Sequence, residues 1–254
     1  MKLQKKELQI KSFIQKYNYN YVILNELELK QVYDFYFNNK EDIVVSSNVL
    51  LYYGCYCEIK KDYDNMIKYY SISIEKDNFY AMKNLAIFYE DKNDYDNMMK
   101  YFLMGIEKGN SDSMNGLAKY YKEQKDYDNM MKYYLMSIEK GNSEAMNSLG
   151  LYYKYQMNYE NMMKYYLLSI KKGYSMAMCN LGFYFDEIKD YDNMMKYFLM
   201  AFETDNNADA INHIETIDNN IIINYLLKFC DENKKRTKKI NKLKNKIIKL
   251  QYKP

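Results

Sequence analysis

Few residues in this 254-residue chain have the chemistry of a catalyst. A single imidazole, His213, would have to carry any general acid–base or zinc chemistry near neutral pH, with no second histidine to work beside it. The thiols Cys55, Cys57, Cys179 and Cys230 are too few and too irregularly placed for a disulfide framework. Cys55 and Cys57 form a Cys-x-Cys, but no second pair or nearby His completes a tetrahedral metal site, and on a helix the two point to different sides. Cys179 and Cys230 have no identifiable base or cation to generate a thiolate, so packing is their expected role. No glycine-rich phosphate loop is present. The carboxylates Asp96, Asp128, Glu160 and Asp192 could be read as an acidic ladder. Each, however, stands four residues before a lysine (Lys100, Lys132, Lys164 and Lys196), the orientation of a helical ion pair worth about 0.3 kcal/mol. The expectation is a non-enzymatic protein with no cofactor, no metal and no small-molecule substrate.

The regular spacing of those charges belongs to a larger repeat. Asp62-Tyr63-Asp64-Asn65-Met66-Ile67-Lys68-Tyr69-Tyr70 returns at Asp94, Asp126, Asn158 and Asp190, 32 residues apart each time. Between the copies lies a second segment, Ala81 to Tyr89, which returns around Leu117-Ala118, Leu149-Gly150 and Leu181-Gly182. Both segments have helical rather than strand periodicity: Tyr127, Met130, Met131, Tyr134, Leu135 and Ile138 fall at three- and four-residue steps. Asp126 is placed to cap the second helix, and Gly109, Gly141 and Gly173 are placed to end it in the left-handed conformation. In the first helix the small residues Ala86, Ala118, Gly150 and Gly182 predict a close helix crossing, because Gly inside a helix costs about 1 kcal/mol relative to Ala. The tyrosines at 69, 101, 133, 165 and 197 are expected to pack between helices with their hydroxyls at the surface. One such hairpin cannot bury its apolar face, whereas stacked hairpins can.

Ala145, Leu149, Gly150 and Tyr153, followed by Asn158 to Tyr166 and Gly173, resemble the Sel-one-like repeat, a relative of the tetratricopeptide repeat. Ala177, Leu181, Gly182 and Phe185 match again one unit later, and the resemblance covers about residues 47–217. Two features differ from the family: its glycine-rich insertion between paired helices is absent, and its small Ala in the second helix is replaced by Met130, Met162 and Met194. The fold implied is all-α, a right-handed α-α superhelix (solenoid) of about five 32-residue helix-turn-helix repeats with capping helices. Val49, Tyr53, Gly54 and Cys57 keep the register of a degenerate first helix at about 47–60, which leaves 1–46 as an N-terminal helical cap and 218–254 as C-terminal helices.

The resemblance also implies a function, a protein-interaction scaffold or adaptor with a protein or peptide partner on its concave face. That face would be lined by the first helices, which vary far more among the units than the second. The candidate positions are Lys83, Asn115, Lys119, Lys122, Asn147, Leu151, Lys154 and Phe183, with Ile87, Glu90, Cys179 and Asp186 in the same registers. The Asn and Lys arrangement of the family's peptide-carboxylate clamps is not reproduced.

Residues 234–254 hold ten Lys/Arg and no Asp/Glu, so within a net charge of +3 the rest of the chain is acidic. Ile240, Leu243, Ile247 and Leu250 recur at three- and four-residue steps among those lysines, the pattern of a basic amphipathic helix. Lys234, Lys235, Arg236, Lys238, Lys239 and Lys242 could bind nucleic-acid phosphate or an anionic membrane, the second functional reading, although no nucleic-acid motif accompanies them. Covering the end of the repeat array and pairing as a coiled-coil dimer are the other roles open to this segment, with fewer than three complete heptads against the second. The N-terminal residues carry no signal-peptide apolar run and no stretch reaches the length of a membrane span, so a reducing, cytoplasmic location is expected.

Overall fold

The computed structural model describes residues 24–38 and 45–205, which form eleven α-helices and no strand. Short turns join α2 (Ser47–Lys60) to α3 (Tyr63–Glu75), α4 (Phe79–Asp91) to α5 (Tyr95–Glu107), α6 (Ser111–Glu123) to α7 (Tyr127–Glu139), α8 (Ser143–Tyr155) to α9 (Tyr159–Lys171) and α10 (Ser175–Glu187) to α11 (Tyr191–Asp205). These are the five hairpins that the repeat predicts, preceded by α1 (Glu26–Asn38). The chain divides into two compact units, residues 1–140 and 141–254. The expectations for residues 1–23 and 39–44, for His213, for Cys230 and for the basic tail lie outside the described residues.

The turns explain why the spacing never varies. Helices α2 to α6 and α8 to α10 end with a six-to-one backbone bond, for example Asn110 N–H to Gly105 O at 2.9 Å and Asp126 N–H to Tyr121 O at 2.9 Å. This is the Schellman pattern, which needs a left-handed residue between helix end and donor. At the entry to each first helix that residue is Asp77, Gly109, Gly141 or Gly173, so the glycines act as expected. At the entry to each second helix it is Lys61, Asn93, Lys125, Met157 or Lys189, all with φ between 55° and 60°. Where the related family inserts glycines, this chain places ordinary side chains in a conformation that costs about 1 kcal/mol each. The donor is in most turns also the side-chain cap of the next helix: Asp126 Oδ1 accepts from Asn129 N–H at 3.1 Å, and Asp126 Oδ2 accepts from Asn129 Nδ2 at 2.7 Å. Asp62, Asp94 and Asp190 repeat both bonds, and Asn158 repeats the backbone one.

In the N-terminal unit α1 starts with a reciprocal capping box, Asn25 with Glu28, and packs on α2 through Phe35 stacked on Tyr53 at 3.8 Å. Hairpins α2/α3, α4/α5 and α6/α7 stack side by side, each second helix against the following first helix, with α4 also touching α6. The C-terminal unit is built in the same way: α9 packs on α10, and α8 touches α10. Met66, Met98, Met130, Met162 and Met194 are all fully buried, so methionine fills the second-helix position where the related family has Ala. The small first-helix residues face large rings. A Cβ added at Gly150 would stand 2.7 Å from the Tyr166 ring, and one at Gly182 would stand 2.6 Å from Phe198. Not all of the second helix's apolar stripe is core, however. Leu103, Leu135 and Leu167 are 39–43% exposed, because they lie on the outer side of helices whose inner side alone meets the neighbouring hairpin.

The lysines of the repeated motif behave differently from the expectation. No ion pair joins Lys100, Lys132 or Lys164 to the carboxylate four residues earlier; their ammonium groups stand over the rings of Tyr101, Tyr133 and Tyr165 at 5.3, 5.1 and 5.2 Å. Those rings are held in place by parallel stacking on the first helix, Tyr89 on Tyr101 and Tyr121 on Tyr133 in one unit, Tyr153 on Tyr165 and Phe185 on Tyr197 in the other. A fixed ring gives the lysine a closer partner than a solvated carboxylate does.

Candidate protein-binding surface

A first-helix surface is built from positions that share one helical face, at intervals of four and then three residues: Lys83, Ile87 and Glu90 on α4, and Asn115, Lys119 and Lys122 on α6. Lys83 is half-buried and reaches across to Asp112 at the start of α6, with Nζ 3.5 Å from Oδ2. Asn115 is only 3% exposed, and its Oδ1 has no hydrogen-bond partner. The exposed residues of this face are Ile87 and Lys119, flanked by the half-buried Glu90 and Lys122. Burial, then the charge of Glu123, pushes the Glu90 carboxyl above its ordinary value, while Lys119 pulls it back. Charges of adjacent first helices therefore already sense one another.

In the C-terminal unit Asn147 is 8% exposed and accepts a hydrogen bond from Asn180 Nδ2 at 2.8 Å, joining α8 to α10. Lys154 Nζ lies 2.7 Å from Glu187 Oε1 and makes a second bridge between the same helices. Leu151 and Phe183 are half-buried, Phe183 standing edge-on to Phe198. Cys179 is buried. Of the eight candidate positions, then, Lys83, Asn147 and Lys154 bond between neighbouring repeats and Asn115 sits in the packing, whereas Lys119, Lys122, Leu151 and Phe183 keep surface open. Spacing identifies the face but cannot tell which polar residue on it is taken up by the next repeat.

The sequence also gave no sign of a polar cluster inside the first hairpin. Tyr70, fully buried, donates from its hydroxyl to Glu58 Oε2 at 2.9 Å, receives a bond from Asn84 Nδ2 at 3.2 Å, and lies 3.4 Å from Cys55 Sγ. Burial pushes the Cys55 thiol far up, against a smaller opposing effect of the Tyr70 hydrogen bond. A thiol so held does not ionise near neutrality and is a poor nucleophile. Two later hairpins carry Phe102 and Phe198 at this position, and the two that keep the tyrosine, Tyr134 and Tyr166, have Lys122 and Lys154 where Glu58 stands and Lys119 and Leu151 where Cys55 stands, so the cluster does not recur.

The tetratricopeptide repeat family model matches residues 111–139, which are helices α6 and α7 with their turn. That match covers one of five hairpins built alike and supports a tetratricopeptide-like helical repeat fold. Among solved structures it is similar to a Sel1 repeat protein from Oxalobacter formigenes, at 17% identity and TM-score 0.62, covering 93% of this chain and 99% of that one. It is also similar to c5321, a protective antigen of uropathogenic Escherichia coli with an SLR fold, at 18% identity and TM-score 0.54 over 80% of this chain. The chain spans about half of that antigen's length, 49%. A third similar structure is the APC/C hetero-tetramer Cut9-Hcn1, at 14% identity and TM-score 0.53, covering 97% of this chain and 54% of that one. No curated protein matches the sequence. At these identities the likeness is one of fold, that of all-α helix-turn-helix repeats.

Proposed function

We propose that this helical repeat protein is a non-enzymatic scaffold that captures a partner protein or extended peptide on the exposed faces of its first helices. Tetratricopeptide-like repeats in general serve as protein-interaction scaffolds, and one of the similar structures is itself a multi-chain assembly. The observation that carries the reading is a contrast within each hairpin. Second helices repeat one motif whose residues cap, stack and fill the core, while at one equivalent first-helix position the residue changes from Ile87 to Lys119, Leu151 and Phe183. Exposed or half-exposed positions that change while their scaffold does not are where selectivity can reside.

The test is affinity purification of the full chain compared with two variants, Ile87→Asp with Lys119→Glu and Leu151→Asp with Phe183→Asp, read by quantitative mass spectrometry. Loss of a specific partner in either variant, with an unchanged helical circular-dichroism spectrum, is the expected result. Identical partners across all three proteins would overturn the assignment of this face.

A further inference from the structure

The turns that enter the second helices differ in kind between the two units. In the N-terminal unit they read Asp91-Lys92-Asn93 and Glu123-Gln124-Lys125, all polar. In the C-terminal unit they contain Tyr155 and Met157 after α8 and Ile188 after α10. Tyr155 and Met157, 71% and 75% exposed, are the two most exposed large apolar side chains of the described residues, and Ile188 is 53% exposed. Met157 also occupies a left-handed position, φ 55°, where the other turns place Lys or Asn. These turns lie at the same edge of their unit, because Lys154–Glu187 ties the ends of α8 and α10 together and the rings of Tyr159 and Tyr184 meet at 5.5 Å. Tyr159 and Tyr191, 48% and 37% exposed, extend the apolar surface along that edge.

Around it the charge is one-sided. With Lys154 and Glu187 paired to each other, Glu160, Asp186, Asp190 and Asp192 stand at the edge against Lys189. A surface that is apolar at its centre and acidic at its rim repels a second copy of itself. It fits a segment with the opposite design, apolar on one side and basic elsewhere. The chain contains one: Ile240, Leu243, Ile247 and Leu250 amid ten Lys/Arg without a single carboxylate in residues 234–254.

We propose that this turn edge is the docking site for residues 236–250 of the same chain. Connectivity permits it. From the edge at Tyr191, α11 runs its fifteen residues away over roughly 22 Å. The 28 residues from 206 to 233 exceed what even a fully helical return of that length requires. The aliphatic stripe of the segment covers Tyr155, Met157 and Ile188, and its lysines meet the carboxylates of the rim.

Zero-length carbodiimide cross-linking of the full chain, with peptide mapping by mass spectrometry, reads the contact directly. Bonds from lysines of 234–249 to Glu160, Glu187, Asp190 or Asp192 are expected. They should be lost in a Tyr155→Ser, Met157→Ser, Ile188→Ser variant whose helical circular-dichroism spectrum is unchanged, since none of the three side chains is buried in the packing between the described helices. Cross-links that persist in the variant, or tail lysines joined only to other carboxylates, overturn the proposal. So does an isotope-mixing experiment in which the same bonds form only between two different chains.

Discussion

Within each hairpin the second helix is nearly constant and the first is not, and the side chains show why. Almost every residue of the constant helix has a structural partner: the capping Asp or Asn bonds the first turn, Met fills the core, Tyr stacks on the preceding helix, and Lys rests on that Tyr. The first helix needs only a small residue at the crossing, an aromatic at the stack and one apolar side. Its remaining positions vary: Lys83, Asn147 and Lys154 bond the neighbouring repeat, while at Ile87 and Lys119 surface chemistry can change without disturbing the stack.

The sharpest way to break this comparison is to truncate one residue of each kind. Met162→Ala, at a fully buried second-helix position, should destabilise the protein by about 3 kcal/mol, while Ile87→Ala on the exposed first-helix face should change stability by less than about 0.5 kcal/mol. Urea unfolding followed by circular dichroism measures both, and equal effects would remove the distinction. A smaller effect sharpens the role of the turns. Met157→Gly relieves a left-handed strain and should stabilise by about 0.5–1 kcal/mol, whereas Gly173→Ala, with open space around it, introduces the same strain and should cost about 1 kcal/mol.

The caps predict a pH dependence. Hydrogen bonds from Asn97, Asn129 and Asn193 hold the carboxyls of Asp94, Asp126 and Asp190 below the ordinary 3.8. A folded-state value depressed in this way gives stability that is present above the unfolded value of about 3.8 and lost as pH falls through the folded one. The urea midpoint should fall between pH 5 and pH 2, and more shallowly in a variant carrying Asp94→Asn, Asp126→Asn and Asp190→Asn, because an amide caps without titrating, as Asn158 does in α9. Least of all, Lys132→Gln should cost about 0.5 kcal/mol by removing the ammonium from the Tyr133 ring.

Much of the fold was legible in the sequence because the forces that set it are local. The three- and four-residue spacing of Tyr127, Met130 and Tyr134, the capping Asp126 and the terminal Gly141 define a helix without reference to the rest of the chain. Gly150 and Gly182 carried more distant information, since a glycine that weakens a helix implies a ring lying against it, and Tyr166 and Phe198 are those rings. The candidate surface was legible only as a face. Nothing in the spacing says that Lys154 is bound to Glu187, Asn147 to Asn180 or Lys83 to Asp112, because each pair lies 29–33 residues apart and depends on how one hairpin sits on the next. The lysine above each tyrosine was misread for the same reason: the ring is fixed by the other helix of the hairpin.

Because a single residue such as Asn110 or Asp126 closes one helix and opens the next, no spare linker exists in which length can drift. Growth or loss is therefore confined to whole 32-residue blocks, and near-identical copies of the second helix give recombination places to join them in register. A crossover inside any two copies of Asp-Tyr-Asp-Asn-Met-Met-Lys-Tyr would leave every turn intact and exchange only the variable helices between them. A gene so arranged can shuffle its variable helices as interchangeable cassettes, and the same joints are natural seams for building a combinatorial library from this chain.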